Sequence, residues 1–174
     1  MRQNEKGFII VNLAVVIAIA AIITLGAGMT TVQIIKGSQR TNDWTAAIRQ
    51  AQNVGYWVSE DALMAQTITI GDDPETVNVE FIILSWKDWE TGDVHDIRYV
   101  WFDSVDSLKK LKRTQVTKDR DGVEIENKTT LVADNIYTAN LTWQDGMWRL
   151  SVEARSGEKR ITREYEISQR REDA

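Results

Sequence analysis

The sequence predicts an α+β protein: a long N-terminal helical spine, with a membrane half and an amphipathic half, packed on a C-terminal antiparallel β-sheet. Three observations carry this. No charged side chain occurs from Phe8 to Ile35, and such a run suits the roughly 20 apolar residues that span a bilayer's hydrocarbon core. From Thr41 to Gln66 there is no proline, and Trp44, Ile48, Ala51, Gly55, Val58, Ala62 and Ala65 recur at spacings of three and four, which marks one apolar helix face. Beyond Gln66 come short alternating runs separated by glycine-bearing turns, the pattern of antiparallel strands.

The first element belongs in a membrane. A secretory signal would have a shorter apolar region, a small-x-small cleavage site and then a soluble chain, whereas this run continues into more helix. Arg2 and Lys6 stand on its short side. The positive-inside tendency therefore keeps the N-terminus in the cytoplasm and puts the C-terminal domain on the other side of the membrane.

The junction Lys6-Gly7-Phe8 sharpens the reading. A short polar leader ending in glycine, then phenylalanine, then a long apolar helix resembles the type IV pilin and pseudopilin family, most closely from Lys6 to about Gly28. The resemblance implies that a prepilin peptidase cuts between Gly7 and Phe8 and that the new N-terminus is N-methylated. It also implies assembly with other pilin or pseudopilin subunits on an inner-membrane platform, driven by a separate cytoplasmic motor. The filament would be a type IV pilus, a competence pilus or a type II secretion pseudopilus. Its fold would be helix then sheet, its segments a leader at 1–7, a transmembrane and filament-core helix at 8–35, an amphipathic continuation at 36–66 and a β-rich head at 67–174.

One residue departs from the family pattern. The fifth mature position, usually glutamate, is Asn12. An amide hydrogen-bonds a neighbour's N-terminal ammonium but cannot cancel its charge in a low-dielectric medium. Asn12 thus points to a minor, tip or priming subunit rather than the repeating one, with a polar residue near the membrane interface as the plainer alternative.

Along the spine, Gly26 and Gly28 each cost about 1 kcal/mol relative to alanine inside a helix. Two uses stay open: a stretch that bends or melts, or close packing between helices, for which Ala14, Ala18, Ala20, Ala21 and Gly28 also suit. Phe8 to Gln66 as one helix would be about 90 Å long. On its amphipathic half, Arg40, Asp43, Arg49, Gln52, Asn53 and Glu60 form the wet side.

The head begins with Thr67 to Ile70 and the turn Gly71-Asp72-Asp73-Pro74, followed by strands at Val77 to Leu84, Ile97 to Phe102, Leu111 to Thr117, Ala139 to Trp143, Met147 to Ala154 and Arg160 to Ser168. Gln144-Asp145-Gly146 and Arg155-Ser156-Gly157-Glu158 read as hairpin links. Leu111 to Arg113 also suits a Leu-Lys-Arg turn, and Leu131 to Ile136 a connection, as in larger minor pseudopilins. Trp148, Leu150 and Val152, with Ile161, Tyr165 and Ile167, form one face toward the spine, interrupted by Arg163.

Composition bounds the function. With 174 residues there is room for the anchor and one ordinary domain. A net charge of −5 argues against nucleic acid as a partner of the whole domain. The absence of cysteine removes disulfides and thiolate chemistry, so the head rests on core packing. Asp88, Glu90, Asp93 and Asp96 around His95, and Asp119, Asp121 and Glu124, are partial cation clusters without the spacing of a calcium loop; they read as hairpin ends. The lone histidine has no serine or cysteine motif beside it. No enzyme, cofactor or metal is expected. Lys109, Lys110, Lys112 and Arg113 read as a solvated strand edge or a contact for an acidic partner. Trp86, Trp89 and Trp101 suit either a partner patch or the core. The competing reading is an uncleaved membrane-anchored binding module.

Overall fold

The computed structural model describes the backbone of residues 4–71, 80–105 and 107–170, and side chains within 12–71, 80–102 and 107–170. Its elements are α1 (Asn4–Met64), β1 (Thr67–Ile70), β2 (Glu80–Lys87), β3 (Val94–Val105), β4 (Leu108–Lys118), β5 (Glu124–Gln144), β6 (Met147–Ser156) and β7 (Lys159–Ile167). The strands form one antiparallel sheet in sequence order, β1 to β7, so each pairs with the strand before and after it. Helix followed by antiparallel sheet is the α+β layout the sequence predicts. Two compact units divide the chain, Met1–Asn42 and Asp43–Ala174.

α1 is continuous over 61 residues. It passes through Gly26 and Gly28 without a break in the helix. The helix ends when Ala65 N–H bonds Ala62 O (3.1 Å) and Gln66 N–H turns to Ser85 O (3.0 Å), handing the chain to β1.

In the second unit, α1 presents Ala47, Ala51, Val54, Gly55, Val58, Asp61 and Ala62 to the sheet, all buried, and Ala65 just beyond its end is buried with them. These are mostly small, so backbone and strands approach closely. A Cβ on Gly55 would clash with the Tyr165 ring, and the Tyr165 hydroxyl donates to Ala51 O (3.2 Å). The inward sheet face supplies Phe81, Ile82 and Leu84 from β2, Ile97, Tyr99 and Trp101 from β3, and Leu111 from β4. Val132, Ala133, Ile136, Ala139 and Leu141 of β5, Leu150, Val152 and Ala154 of β6 and Ile167 of β7 complete the core. The predicted face of the last two strands is present, with Trp148, Ile161 and Tyr165 half-buried and Arg163 exposed.

Several expectations need correction. Trp44 is exposed rather than part of the apolar face: the β6–β7 turn meets α1 at Asp43, where Gly157 (φ 55°) lies against the Asp43 carboxylate, and the sheet ends there. Leu111 to Arg113 is strand interior and not a turn. Leu131 to Ile136 lies inside β5 rather than in a connection. Its Asp-Asn pair marks a bend, with Asn135 at φ 58° and pairing irregular on both sides. The basic segment is no sheet edge, because β4 lies between β3 and β5. The strand predicted at Val77 runs Glu80–Lys87 within the described residues; the Asp72-Asp73-Pro74 turn and residues 77–79 lie outside them. The Gln144-Asp145-Gly146 hairpin forms as expected, with Asp145 (φ 54°) and Gly146 (φ 79°) both left-handed, the conformation of a tight two-residue turn.

Because Gly55 is crossed by the Tyr165 ring, Gly55→Ala overpacks the helix–sheet contact and is expected to destabilise the head by about 1–3 kcal/mol. Pairing it with Tyr165→Leu, which vacates the ring's volume, recovers most of that loss in urea unfolding of the detergent-solubilised chain.

Candidate functional site

Two parts of α1 have unlike surroundings, and each is built by its own residue types. From Asn12 to Ile35 every described side chain is exposed, including Leu13, Val15, Val16, Ile17, Ile19, Ile22, Ile23, Leu25, Met29, Val32, Ile34 and Ile35. So continuous an apolar surface is unfavourable in water at roughly 25 cal/mol per Å². α1 contains the one stretch among the described residues that is long and apolar enough to cross a membrane.

The threonine hydroxyls of that stretch are satisfied within the helix. Thr24 Oγ1 donates to Ala20 O (2.8 Å), Thr30 to Gly26 O (2.9 Å) and Thr31 to Ala27 O (3.0 Å). A hydroxyl that bonds its own helix can enter an apolar medium without losing a hydrogen bond. Asn12, Ala14, Ala18, Gly26 and Gly28 are all exposed. No atom lies within 4 Å of the Cβ position at Gly26 or Gly28. Nothing within the chain requires glycine there, and a shallow groove lined by Thr24, Leu25, Gly28, Met29, Val32 and Gln33 is open for an external surface. The backbone of Gly7 and Phe8 falls within α1; their side chains are outside the described residues.

In the second unit α1 carries a buried acid that sequence reasoning missed. Asp61 receives Arg113 Nε (2.7 Å) and Nη2 (2.8 Å) on its two oxygens and also the hydroxyl of Tyr99. Three elements, α1, β4 and β3, thus meet at one carboxylate. Arg113 also donates to Gln115 Oε1 (3.1 Å) and stacks its guanidinium over Trp57 at 5.2 Å. Its hydrogen bonds to Asp61 raise its pKa further, so it stays cationic. Burial, then the adjacent Asp61 charge, pushes Tyr99 far above its ordinary value. A phenol whose folded pKa is raised contributes its stability fully below about pH 10 and loses it above, as unfolded tyrosines ionise. The signal in the sequence was position: Asp61 follows Val58 by three and precedes Ala65 by four, which puts it on the apolar stripe.

The other predicted clusters are occupied by local structure. Asp88 Oδ1 accepts Glu90 N–H (2.8 Å) and Thr91 N–H (3.3 Å), shaping the β2–β3 turn. Asp96 binds Ser85 Oγ (2.8 Å) and Lys118 Nζ (3.6 Å). His95 stacks on Trp86 at 5.0 Å and shares a hydrogen bond with Thr117 Oγ1 (3.1 Å). Asp119 Oδ1 accepts Asp121 and Val123 N–H, closing the β4–β5 turn. Among the described residues no three His, Asp or Glu side chains converge as metal ligands. Lys112 lies over Phe102 at 3.6 Å. Of the ambiguous tryptophans, Trp101 is core, Trp86 is half-buried and Trp89 is 77% exposed.

Leaving one member of a buried pair unpaired costs about 3–5 kcal/mol, whereas replacing both by apolar side chains is often near neutral. Asp61→Leu and Arg113→Met are therefore each expected to lower head stability by that amount, and the double variant by clearly less than the sum, measured by urea unfolding with all four species compared. Comparison of the chain with protein-family models, curated proteins and solved structures finds no match.

Proposed function

We propose that this chain is a minor or priming subunit of a pilin-type filament, made as a single-pass precursor, cut after Gly7 and assembled through its N-terminal helix. The observation that carries the reading is the exposed, charge-free surface of α1 from Asn12 to Ile35 with its threonine hydroxyls bonded back to the helix. Such a surface fits lipid before assembly and other helices afterwards. Ala14, Ala18, Gly26 and Gly28 let neighbouring helices approach, and in this chain they have no internal packing role that competes. Asn12 replaces the acid that would pair with a neighbour's ammonium, which favours a subunit used once or a few times over the repeating one. The helix-then-sheet order supports the same plan. The work assigned to the chain is assembly, with other pilin or pseudopilin subunits, membrane lipid, the peptidase with its N-methyltransferase and the assembly platform as partners.

The competing reading, an uncleaved membrane-anchored binding module, draws on the exposed Trp89 and Trp143 of the head. One experiment separates the two. The chain is expressed with an active prepilin peptidase, and its intact mass and N-terminal sequence are compared with those of Gly7→Ala. The pilin reading predicts a mature chain that begins at Phe8, one methyl heavier, and a precursor that accumulates in Gly7→Ala. A wild-type chain still beginning at Met1 contradicts it and favours the anchored module.

A further inference from the structure

The bend in β5 leaves part of the sheet unpaired. Residues 124–136 of β5 pair with β4, and residues 136–144 pair with β6. Glu124 to Leu131 therefore has a neighbour on one side alone among the described residues. Nearly all of this segment is exposed, including Ile125 and Leu131. At the far end of the sheet, β7 pairs with β6 alone and offers a second open edge, Lys159–Ile167. An open edge of this length presents a row of unpaired N–H and C=O groups that accept another strand.

The two edges run in opposite senses along α1. Thr130 stands opposite Arg113, which binds Asp61, and Asp134 N–H bonds Gln50 Oε1 (3.0 Å), so β5 here runs against the helix. β7 runs with it: Gly157 adjoins Asp43, Tyr165 crosses Gly55, and Gln169 Nε2 donates to Gln66 O. Two copies whose helices point the same way, as copies anchored in one membrane do, therefore meet β5 to β7 as an antiparallel pair.

Charge favours one register over the two beside it. By alternation from buried Thr117 and Arg113, Glu126, Lys128 and Thr130 share the α1-side face of β5, and by alternation from Tyr165, Lys159, Ile161 and Arg163 share that face of β7. With Glu126 opposite Arg163, Lys128 meets Ile161, and Asn127 meets Thr162 on the other face. Sliding by two residues one way puts Lys128 opposite Lys159, and the other way opposite Arg163. Like charges directly opposite destabilise a ladder, and opposite charges support it.

We propose that the 124–131 edge of β5 binds the β7 edge of a second copy of this chain, with Glu126 facing Arg163. The contact is heterologous, so a pair of copies keeps one open edge of each kind for other subunits. It rests on the sheet and on anchoring in a common membrane, not on cleavage after Gly7.

The chain has no cysteine of its own, so introduced thiols report without background. Two differently tagged full-length chains, Asn127→Cys and Thr162→Cys, are reconstituted together in liposomes and oxidised with copper phenanthroline. The expected product is the mixed disulfide, in several-fold excess over either chain paired with itself. Adding Glu126→Arg to the first chain lowers it several-fold, and adding Arg163→Glu to the second restores it, which a merely misfolded variant cannot do. No mixed disulfide, or an Asn127→Cys self-pair of equal yield, overturns the proposal; the second result indicates two β5 edges meeting instead. Either failure leaves the cleavage result untouched, so the two readings fall separately.

Discussion

The head is organised around one carboxylate. Asp61 lies in the buried stripe of α1, and a charge there is tolerated because Arg113 meets both its oxygens and Tyr99 donates a third hydrogen bond. An apolar stripe of alanines and valines alone would let a helix slide or rotate on a sheet at little cost. A buried acid with partners on two neighbouring strands allows one rotation and one height. Gly55 beneath Tyr165 and Gly157 against Asp43 make the same placement steric as well as polar. From that placement follow the directions of β5 and β7 along α1, the two strands whose open edges face outward.

The remainder of α1 obeys a different rule. Between Asn12 and Ile35 the chain carries no charge, exposes its apolar side chains and returns each threonine hydroxyl to the helix. The glycines of this stretch cost helix stability and meet nothing in the chain. Residues that are unfavourable for the isolated molecule and unused by its own packing are best explained by an external surface. Lipid and neighbouring helices fit that surface, and the proposed function is built on it.

Much of this was legible in the sequence, and the misses have physical causes. The helix face was readable from period alone because Ala51, Gly55, Val58, Ala62 and Ala65 recur over four turns with no competing signal. Asp61 was missed because an acid directly after Ser59 and Glu60 reads as surface until its partner is known, and Arg113 comes 52 residues later. Arg113 itself was hidden in a run of lysines that looked like a strand edge; burial of Leu111, Arg113 and Thr117 on one face of β4 separates it from them. The first half of β5 lacks apolar alternation because nothing covers it, so Glu-Ile-Glu-Asn-Lys-Thr-Thr gave no strand pattern, and Asp134-Asn135 looked like a turn when it is a bend. Trp44 has the right period but stands where the sheet has ended.

The central claim is that one helix is stabilised by two different media, an apolar surround over its first part and the sheet over its second. Amide hydrogen exchange along α1 in the full chain, reconstituted in lipid bilayers, tests this most directly. The account predicts slow exchange at residues 12–35 and again at 47–65, with faster exchange at the polar, exposed residues 36–42 between them. Exchange at 12–35 as fast as at 36–42 in the bilayer would contradict it.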